Sequence, residues 1–164
     1  FDPGVSGLSG VATVLDLDME ALRRGRHAYG GTGAFVCGSI TRMPFRDGTF
    51  ETSVCIGTFY NFPSRELVEE GIAEMARVTE KRGRVVVEFR NAENPVVALA
   101  FKHAEKYDPS LGGLPLRAYS LADVKGMLSE AGLRLRRVKY MGVPVRRLAL
   151  GFIVEAVHGP EEEK

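Results

Sequence analysis

Short apolar runs alternate with amphipathic stretches along the chain, a pattern typical of βαβ units around a mostly parallel sheet. The run "VATVLDL" (Val11–Leu17) predicts a first strand, and Asp18 is expected to cap a helix that ends near His27. The runs "GAFVCG" and "FETSVCIG" predict the next two strands. The expected fold class is α/β: a Rossmann-like, mostly parallel sheet with helices on both faces and an antiparallel C-terminal edge strand pair.

The second half of the chain continues this pattern. Ser64 opens a helix, "SRELVEEGIAEMARVTE", whose apolar residues recur on one face. The segment "KRGR" is expected to turn the chain into "VVVEF", a strand buried on both sides. Further helices are predicted to start at Pro95 and at Ser120. Residues 134–157 predict two antiparallel strands at one edge of the sheet.

Composition and charge narrow the class of protein. The 164 residues are 45% hydrophobic and 26% charged, which fits one globular domain over residues 1–158. Residues 90–119 are expected to form a substrate lid, and 159–164 a disordered acidic tail. The net charge of +1 gives no strong overall attraction to nucleic acid. No apolar run is long enough to span a membrane and no leader is evident, so a cytoplasmic location is expected.

The most informative motif is "MPFRDGTFETSVCIG", in which a tight turn, Arg46–Gly48, separates Phe45 from Phe50, and Glu51 enters a strand. With it the sequence resembles the class I S-adenosyl-L-methionine-dependent methyltransferases, in the small-molecule branch that includes ubiquinone and menaquinone biosynthesis enzymes. The stretches "VLDLDMEAL", "IAEMARVTEKRGRVVVEF" and "YSLADVKGMLSEAGL" resemble, in order, three further parts of that fold. The resemblance implies S-adenosyl-L-methionine as cofactor. No metal is expected, because the cysteines and histidines show no metal-ligand spacing.

The resemblance also implies where the cofactor binds. Asp16 ends the predicted first strand, where an acid can accept hydrogen bonds from both ribose hydroxyls; the alternative is a plain helix-start acid. Ser39 and Ile40 would edge the adenine, although the family usually has Asp where Ser39 stands, which predicts weaker affinity there. The cofactor-binding candidates are Asp2, Gly4, Ser6, Gly7, Asp16, Leu17, Ser39, Ile40 and Gly57.

The start of the chain departs from the family pattern. Asp2, Gly4, Ser6 and Gly7 echo a D-x-G-x-G cofactor loop, but Asp2 lies only 14 residues before Asp16. A complete strand–loop–helix–strand needs about twenty residues. Two explanations stay open: residues are absent near the start of this sequence, which we favour, or the loop has been shortened until it no longer holds cofactor. Val11–Leu17 and Ser53–Gly57 are expected to share a neighbouring strand.

The candidates for binding the methyl acceptor follow two later strands. "GTFYNFP" and "FRNAENP" each place polar and aromatic residues after a predicted strand. Tyr60 is the catalytic candidate, with a packed aromatic as the alternative, and the family often has His where Asn61 stands. The substrate-binding candidates are Phe59, Tyr60, Asn61, Arg90 and Asn91.

Two other functions stay open. One is an RNA-modifying methyltransferase that docks through the basic stretch 134–147, although arginines on an edge strand also discourage aggregation. The other is a binding module that kept the fold and lost the cofactor. The expected partner is a small-molecule methyl acceptor; nucleic acid is not favoured, and a homodimer stays open.

Overall fold

The computed structural model describes residues 12–28, 33–103, 116–142 and 145–159. The chain divides into two compact units, which meet in sequence at Pro44 and Phe45 and are described separately below. The cofactor-loop candidates Asp2, Gly4, Ser6 and Gly7 lie outside the described residues, as do residues 160–164 of the predicted tail. The single-domain organisation and the lid over residues 90–119 stay predictions.

The first unit contains a βαβ motif. Two strands pair in parallel, with Asp16 opposite Cys37 at the end of the register. The helix between them begins where it was predicted, because the Asp18 carboxylate accepts a hydrogen bond from Glu20 N at 2.8 Å. The helix buries Leu22. Its elements are β1 (Thr13–Asp16), α1 (Met19–Ala28) and β2 (Ala34–Cys37).

The second unit contains a four-stranded sheet in the order β3-β4-β6-β5. β3 and β4 are parallel, whereas β6 is antiparallel to both β4 and β5. The predicted antiparallel pair is therefore present, with β5 at the edge and β6 against β4. The elements are β3 (Phe50–Cys55), α2 (Arg65–Val78), β4 (Thr79–Arg90), α3 (Pro95–Lys102), α4 (Leu121–Glu130), β5 (Leu133–Met141) and β6 (Gly151–His158).

The predicted helix starts of this unit are confirmed. The Ser64 hydroxyl accepts from Leu67 N at the start of α2, and Ser120 and Asp123 form a reciprocal capping box at the start of α4. Most of the predicted apolar face of α2 is fully buried, whereas Leu67 is half-buried. The buried residues on this face are Val68, Ile72, Met75 and Val78.

Two local predictions are wrong. The "KRGR" segment is not a turn, since β4 runs without interruption from Thr79 to Arg90. A Cβ atom on Gly83 would lie 2.6 Å from the Glu51 carbonyl oxygen, so glycine lets β3 pass close to β4. The run "RRLALGFIVEAV" predicts a strand that starts at Arg146, but β6 begins only at Gly151, because Arg146–Leu148 form a short 3-10 helix.

The strands at the unit boundary have one described neighbour each. Within the described residues, β1 pairs with β2 and β3 pairs with β4. A strand shared by Val11–Leu17 and Ser53–Gly57 therefore stays a prediction, because the two segments belong to different units.

Candidate functional site

A buried carboxylate organises the carboxyl ends of β3 and β4. Glu88 is only 8% exposed, and its Oε2 atom accepts a hydrogen bond from Gly57 N at 3.0 Å. Its Oε1 atom lies 3.7 Å from Arg90 Nη2. Gly57 has a positive φ of 69°, which glycine adopts without strain. Glu88 therefore fixes the turn after β3 and positions Arg90.

Arg90 and Tyr60 lie against each other at this end of the sheet. The Arg90 Cζ atom is 5.1 Å from the centre of the Tyr60 ring, a cation–π distance. The Tyr60 ring in turn lies 6.4 Å from that of Phe101 on α3. The Arg90 side chain is one-third exposed and makes no hydrogen bond within the described residues besides its ion pair with Glu88. Its remaining N–H groups are available to a ligand.

Two other acceptor candidates serve the fold instead. Phe59 is fully buried and packs on Phe62 and Phe89. Asn91 is 1% exposed, and its Nδ2 atom donates to the carbonyl oxygens of Arg146 and Ala149 at 2.9 and 3.1 Å. These contacts give Phe59 and Asn91 structural roles.

Asn61 ends the short 3-10 helix Phe59–Asn61 and is half-buried. Its side-chain amide has no hydrogen-bond partner among the described residues. It therefore remains an acceptor-binding candidate beside Tyr60 and Arg90.

The thiol nearest this cluster is not a nucleophile. Burial raises the pKa of Cys55 to about 12, and the nearby Glu88 carboxylate acts in the same direction. Because the thiolate is the reactive form, Cys55 stays a protonated core residue at neutral pH. Both cysteines stand in apolar runs, which predicts that both are buried, but the other cysteine, Cys37, is exposed.

In the first unit, the described candidates Asp16, Leu17 and Ser39 lie at one edge of the β1–β2 pair. Asp16 ends β1 and is exposed, with its Oδ1 atom accepting from Asp18 N at 2.8 Å. Ser39 follows β2, and its hydroxyl lies 2.8 Å from that of Thr41. Leu17 is 72% exposed. Because β1 and β2 are parallel, their carboxyl ends meet at the same edge.

The turn of the "MPFRDGTF" motif is held in place by an aromatic pair and by hydrogen bonds from Arg77. Phe45 and Phe50 pack edge to face at 4.9 Å, and Gly48 turns the chain with a φ of 59°. Arg77 Nη1 donates to the Phe45 carbonyl at 2.8 Å and to Asp47 Oδ1 at 2.7 Å. The family-like residues of this motif therefore hold the entry to β3 against the end of α2.

Other features do not suggest a different site. An open hollow lined by Gly48, Thr79 and His158 lies at the amino end of β4, away from Glu88 and Arg90. No group of three or more His, Cys, Asp or Glu side chains that could hold a metal ion occurs among the described residues. No helix in the described part of the chain has the length and apolar character to cross a bilayer.

Sequence reasoning missed Glu88, Asn94 and Phe101. A usable signal existed for the first, because an acid inside the apolar run "VVVEF" must find buried partners. No local signal indicated that Phe101 contacts Tyr60, since the two are far apart in sequence.

Comparison with known proteins agrees with this architecture. A family model described as a methyltransferase domain matches residues 5–87, just over half of the chain. A demethylmenaquinone methyltransferase from Mycolicibacterium vanbaalenii is 43% identical over 70 residues, which are 41% of this chain and 28% of that protein. The chain thus spans well under half the length of this curated relative.

Solved structures show the same fold. A S-adenosyl-L-methionine-dependent methyltransferase from Methanosarcina mazei has a TM-score of 0.72 at 16% identity, covering 90% of this chain and 82% of that one. An O-methyltransferase of neocarzinostatin biosynthesis, solved with S-adenosyl-L-homocysteine and 1,4-dihydroxy-2-naphthoic acid, has a TM-score of 0.65 at 21% identity. The aligned region spans 91% of this chain and 42% of that protein.

These matches confirm the Rossmann-like α/β fold and the family recognised from the "MPFRDGTF" region. The chain belongs to the methyltransferase domain family, within the class I S-adenosyl-L-methionine-dependent methyltransferases.

Proposed function

We propose that this protein transfers a methyl group from S-adenosyl-L-methionine to a small aromatic acceptor that carries an oxygen substituent. The observation that carries the proposal is the methyltransferase-domain match over residues 5–87, combined with polar residues at the carboxyl ends of parallel strands. Open α/β sheets bind their ligands at that edge.

The residues of the first unit fit the ribose and adenine of the cofactor. Asp16 Oδ1 accepts one backbone N–H, while Oδ2 has no partner among the described residues and can accept from ribose hydroxyls. Leu17 and Ile40 supply apolar surface for the adenine, and the Ser39 hydroxyl can accept from its amino group. When bound, S-adenosyl-L-methionine supplies an electrophilic methyl carbon on its sulfonium.

The second unit supplies the acceptor residues. Arg90 is held by Glu88 and by the Tyr60 ring, so its free N–H groups can bind a carboxylate or a phenolic oxygen. Asn61 adds an amide, and the Tyr60 hydroxyl has no partner among the described residues. Tyr60 is the proposed catalytic group, because its hydroxyl can hydrogen-bond the acceptor oxygen and hold it in position. Holding the acceptor in position contributes much of the rate, and a base is needed only for an acceptor that loses a proton.

The cofactor proposal is tested by titrating S-adenosyl-L-methionine in a calorimeter. Asp16→Ala should cost about 1.5–3 kcal/mol of binding free energy, or roughly ten- to a hundredfold in Kd, because charged hydrogen bonds are lost. Glu20→Ala removes an exposed acid on α1 and should leave Kd unchanged. Equal affinity of Asp16→Ala and the unsubstituted protein would contradict the assignment. Absence of any binding would favour a module that has lost the cofactor.

The acceptor proposal is tested with two probes suggested by the relatives, demethylmenaquinol and 1,4-dihydroxy-2-naphthoic acid. Arg90→Met should raise KM for the acid probe about tenfold, since a charge-assisted hydrogen bond is lost, and should leave the Kd of S-adenosyl-L-methionine unchanged. Arg23→Met, on an exposed pair with Glu20, is the control. An unchanged KM in Arg90→Met would exclude Arg90 from acceptor binding.

An RNA acceptor is the second candidate, because Arg134, Arg137 and Lys139 are exposed on the edge strand β5. However, Arg136 pairs with Glu155 at 2.9 Å and Arg146 pairs with Glu93 at 2.8 Å, which reduces the positive charge of this stretch. Salt-dependent retention on RNA would favour this function over a small acceptor.

A further inference from the structure

An exposed apolar surface lies on α3. From Pro95 to Phe101 this helix has no charged side chain, and helices that are apolar all round are ordinarily buried. Within this helix Val97 is buried, whereas Val96 and Leu99 are 63% and 60% exposed. Lys102 follows at the solvent-exposed end of the helix.

A second exposed apolar segment is held against the start of α3. Asn94 caps the helix through its Oδ1 atom, and its Nδ2 atom donates to the carbonyl oxygens of Leu148 and Ala149 at 3.0 and 3.1 Å. These bonds hold the backbone of Leu148 and Ala149 against the start of α3, and the exposed apolar residues of the two segments are here called the end patch. The exposed apolar residues of the end patch are Val96, Leu99, Val145, Leu148 and Leu150.

The end patch is positively charged. Within the described residues 93–102 and 145–150, the exposed cations are Lys102, Arg146 and Arg147, and the carboxylate is Glu93, which pairs with Arg146 at 2.8 Å. Exposed apolar side chains interspersed with Lys and Arg are the composition that binds the surface of an anionic bilayer. A symmetric contact between two copies would bring these like charges together, which disfavours a second copy as occupant.

The end patch also borders the proposed acceptor residues. Asn91, directly after Arg90, donates from its backbone N to the Leu150 carbonyl at 3.2 Å. Phe101, on α3, lies 6.4 Å from Tyr60. The end patch therefore adjoins the residues proposed to bind the methyl acceptor.

We propose that the end patch binds the surface of a membrane containing anionic lipid, with its apolar side chains in the headgroup region and Lys102 and Arg147 near lipid phosphates. The binding is peripheral and reversible. Membrane binding requires no methyl transfer, so this proposal and the proposed function can fail separately.

The test is co-sedimentation of the full chain with phosphatidylcholine vesicles that contain or lack phosphatidylglycerol. The chain should partition onto the anionic vesicles, and added salt should weaken this binding. Leu99→Gln should lower the partition coefficient about fivefold, through lost apolar burial. Arg147→Gln should lower it about fivefold on anionic vesicles only. Met19→Gln changes a 48% exposed residue on α1 and is the matched control.

Several results would overturn the proposal. These are no binding to anionic vesicles, or equal binding by Leu99→Gln, Arg147→Gln and the unsubstituted chain. A dimer in sedimentation equilibrium that Leu99→Gln dissociates, without vesicle binding, would identify a second copy as occupant instead. Because the substituted side chains are exposed, matching thermal melts should show that each variant is folded.

Discussion

Glu88 offers a sharp test of how the carboxyl ends of β3 and β4 are held. The informative pair of changes is Glu88→Gln and Glu88→Ala. The glutamine keeps an oxygen that can accept from Gly57 N, while it removes the charge opposite Arg90. The alanine removes both interactions and leaves the N–H of the half-buried Gly57 without its side-chain partner.

The expected sizes follow from burial. Glu88 is 8% exposed and Gly57 is half-buried, so the 3.0 Å bond between them is a partly buried, charge-assisted hydrogen bond, which contributes about 1.5–3 kcal/mol. The 3.7 Å pair with the partly exposed Arg90 adds about 0–1 kcal/mol. Glu88→Ala should therefore lower the free energy of unfolding by about 1.5–4 kcal/mol, and Glu88→Gln by about 1 kcal/mol.

The measurement is urea unfolding of the three proteins followed by circular dichroism, with the midpoint and slope fitted separately. Glu80→Ala, an exposed acid on the same strand, is the control and should stay within about 0.5 kcal/mol. If Glu88→Gln loses as much stability as Glu88→Ala, the charge rather than the bond to Gly57 holds this turn. The reasoning is then refuted.

Three further outcomes are expected. Gly83→Ala should destabilise the protein by about 1–3 kcal/mol or prevent folding, because the new Cβ would lie 2.6 Å from a β3 carbonyl oxygen; an unchanged urea midpoint would contradict this contact. In a thiol titration at pH 8, Cys37 should react at once and Cys55 only on unfolding, because burial raises the pKa of Cys55 to about 12; two fast thiols would contradict its burial. The bond from Ser120 lowers the pKa of Asp123, so Asp123→Asn should lower the free energy of unfolding by about 1 kcal/mol above pH 5. This difference should vanish as acid protonates the native carboxylate, at a pH below the ordinary aspartate pKa near 3.9, and a pH-independent difference would exclude the capping box as its source.

The sequence alone determined the local elements. Ser64 and Ser120 indicated the starts of their helices, because an N-cap is a contact between residues three apart in sequence. The apolar repeat of α2 indicated which face of that helix is buried. Asp16 was correctly placed at the end of a strand, because it closes a local apolar run. The "MPFRDGTF" motif further sufficed to recognise the family that the comparisons confirm.

Only the tertiary structure decided which of the polar residues near the strand ends are available to a ligand. Asn91 and Arg90 are adjacent and equally polar in sequence, yet the amide donors of Asn91 are used by the connection before β6, whereas Arg90 keeps free N–H groups. The "KRGR" segment reads as a turn until Glu51 is seen to pass over Gly83. In each case the deciding partner lies far away along the chain. Loop packing brings the acceptors that bind the Asn91 amide, and sheet pairing brings the Glu51 backbone close to Gly83; no local sequence pattern encodes either contact.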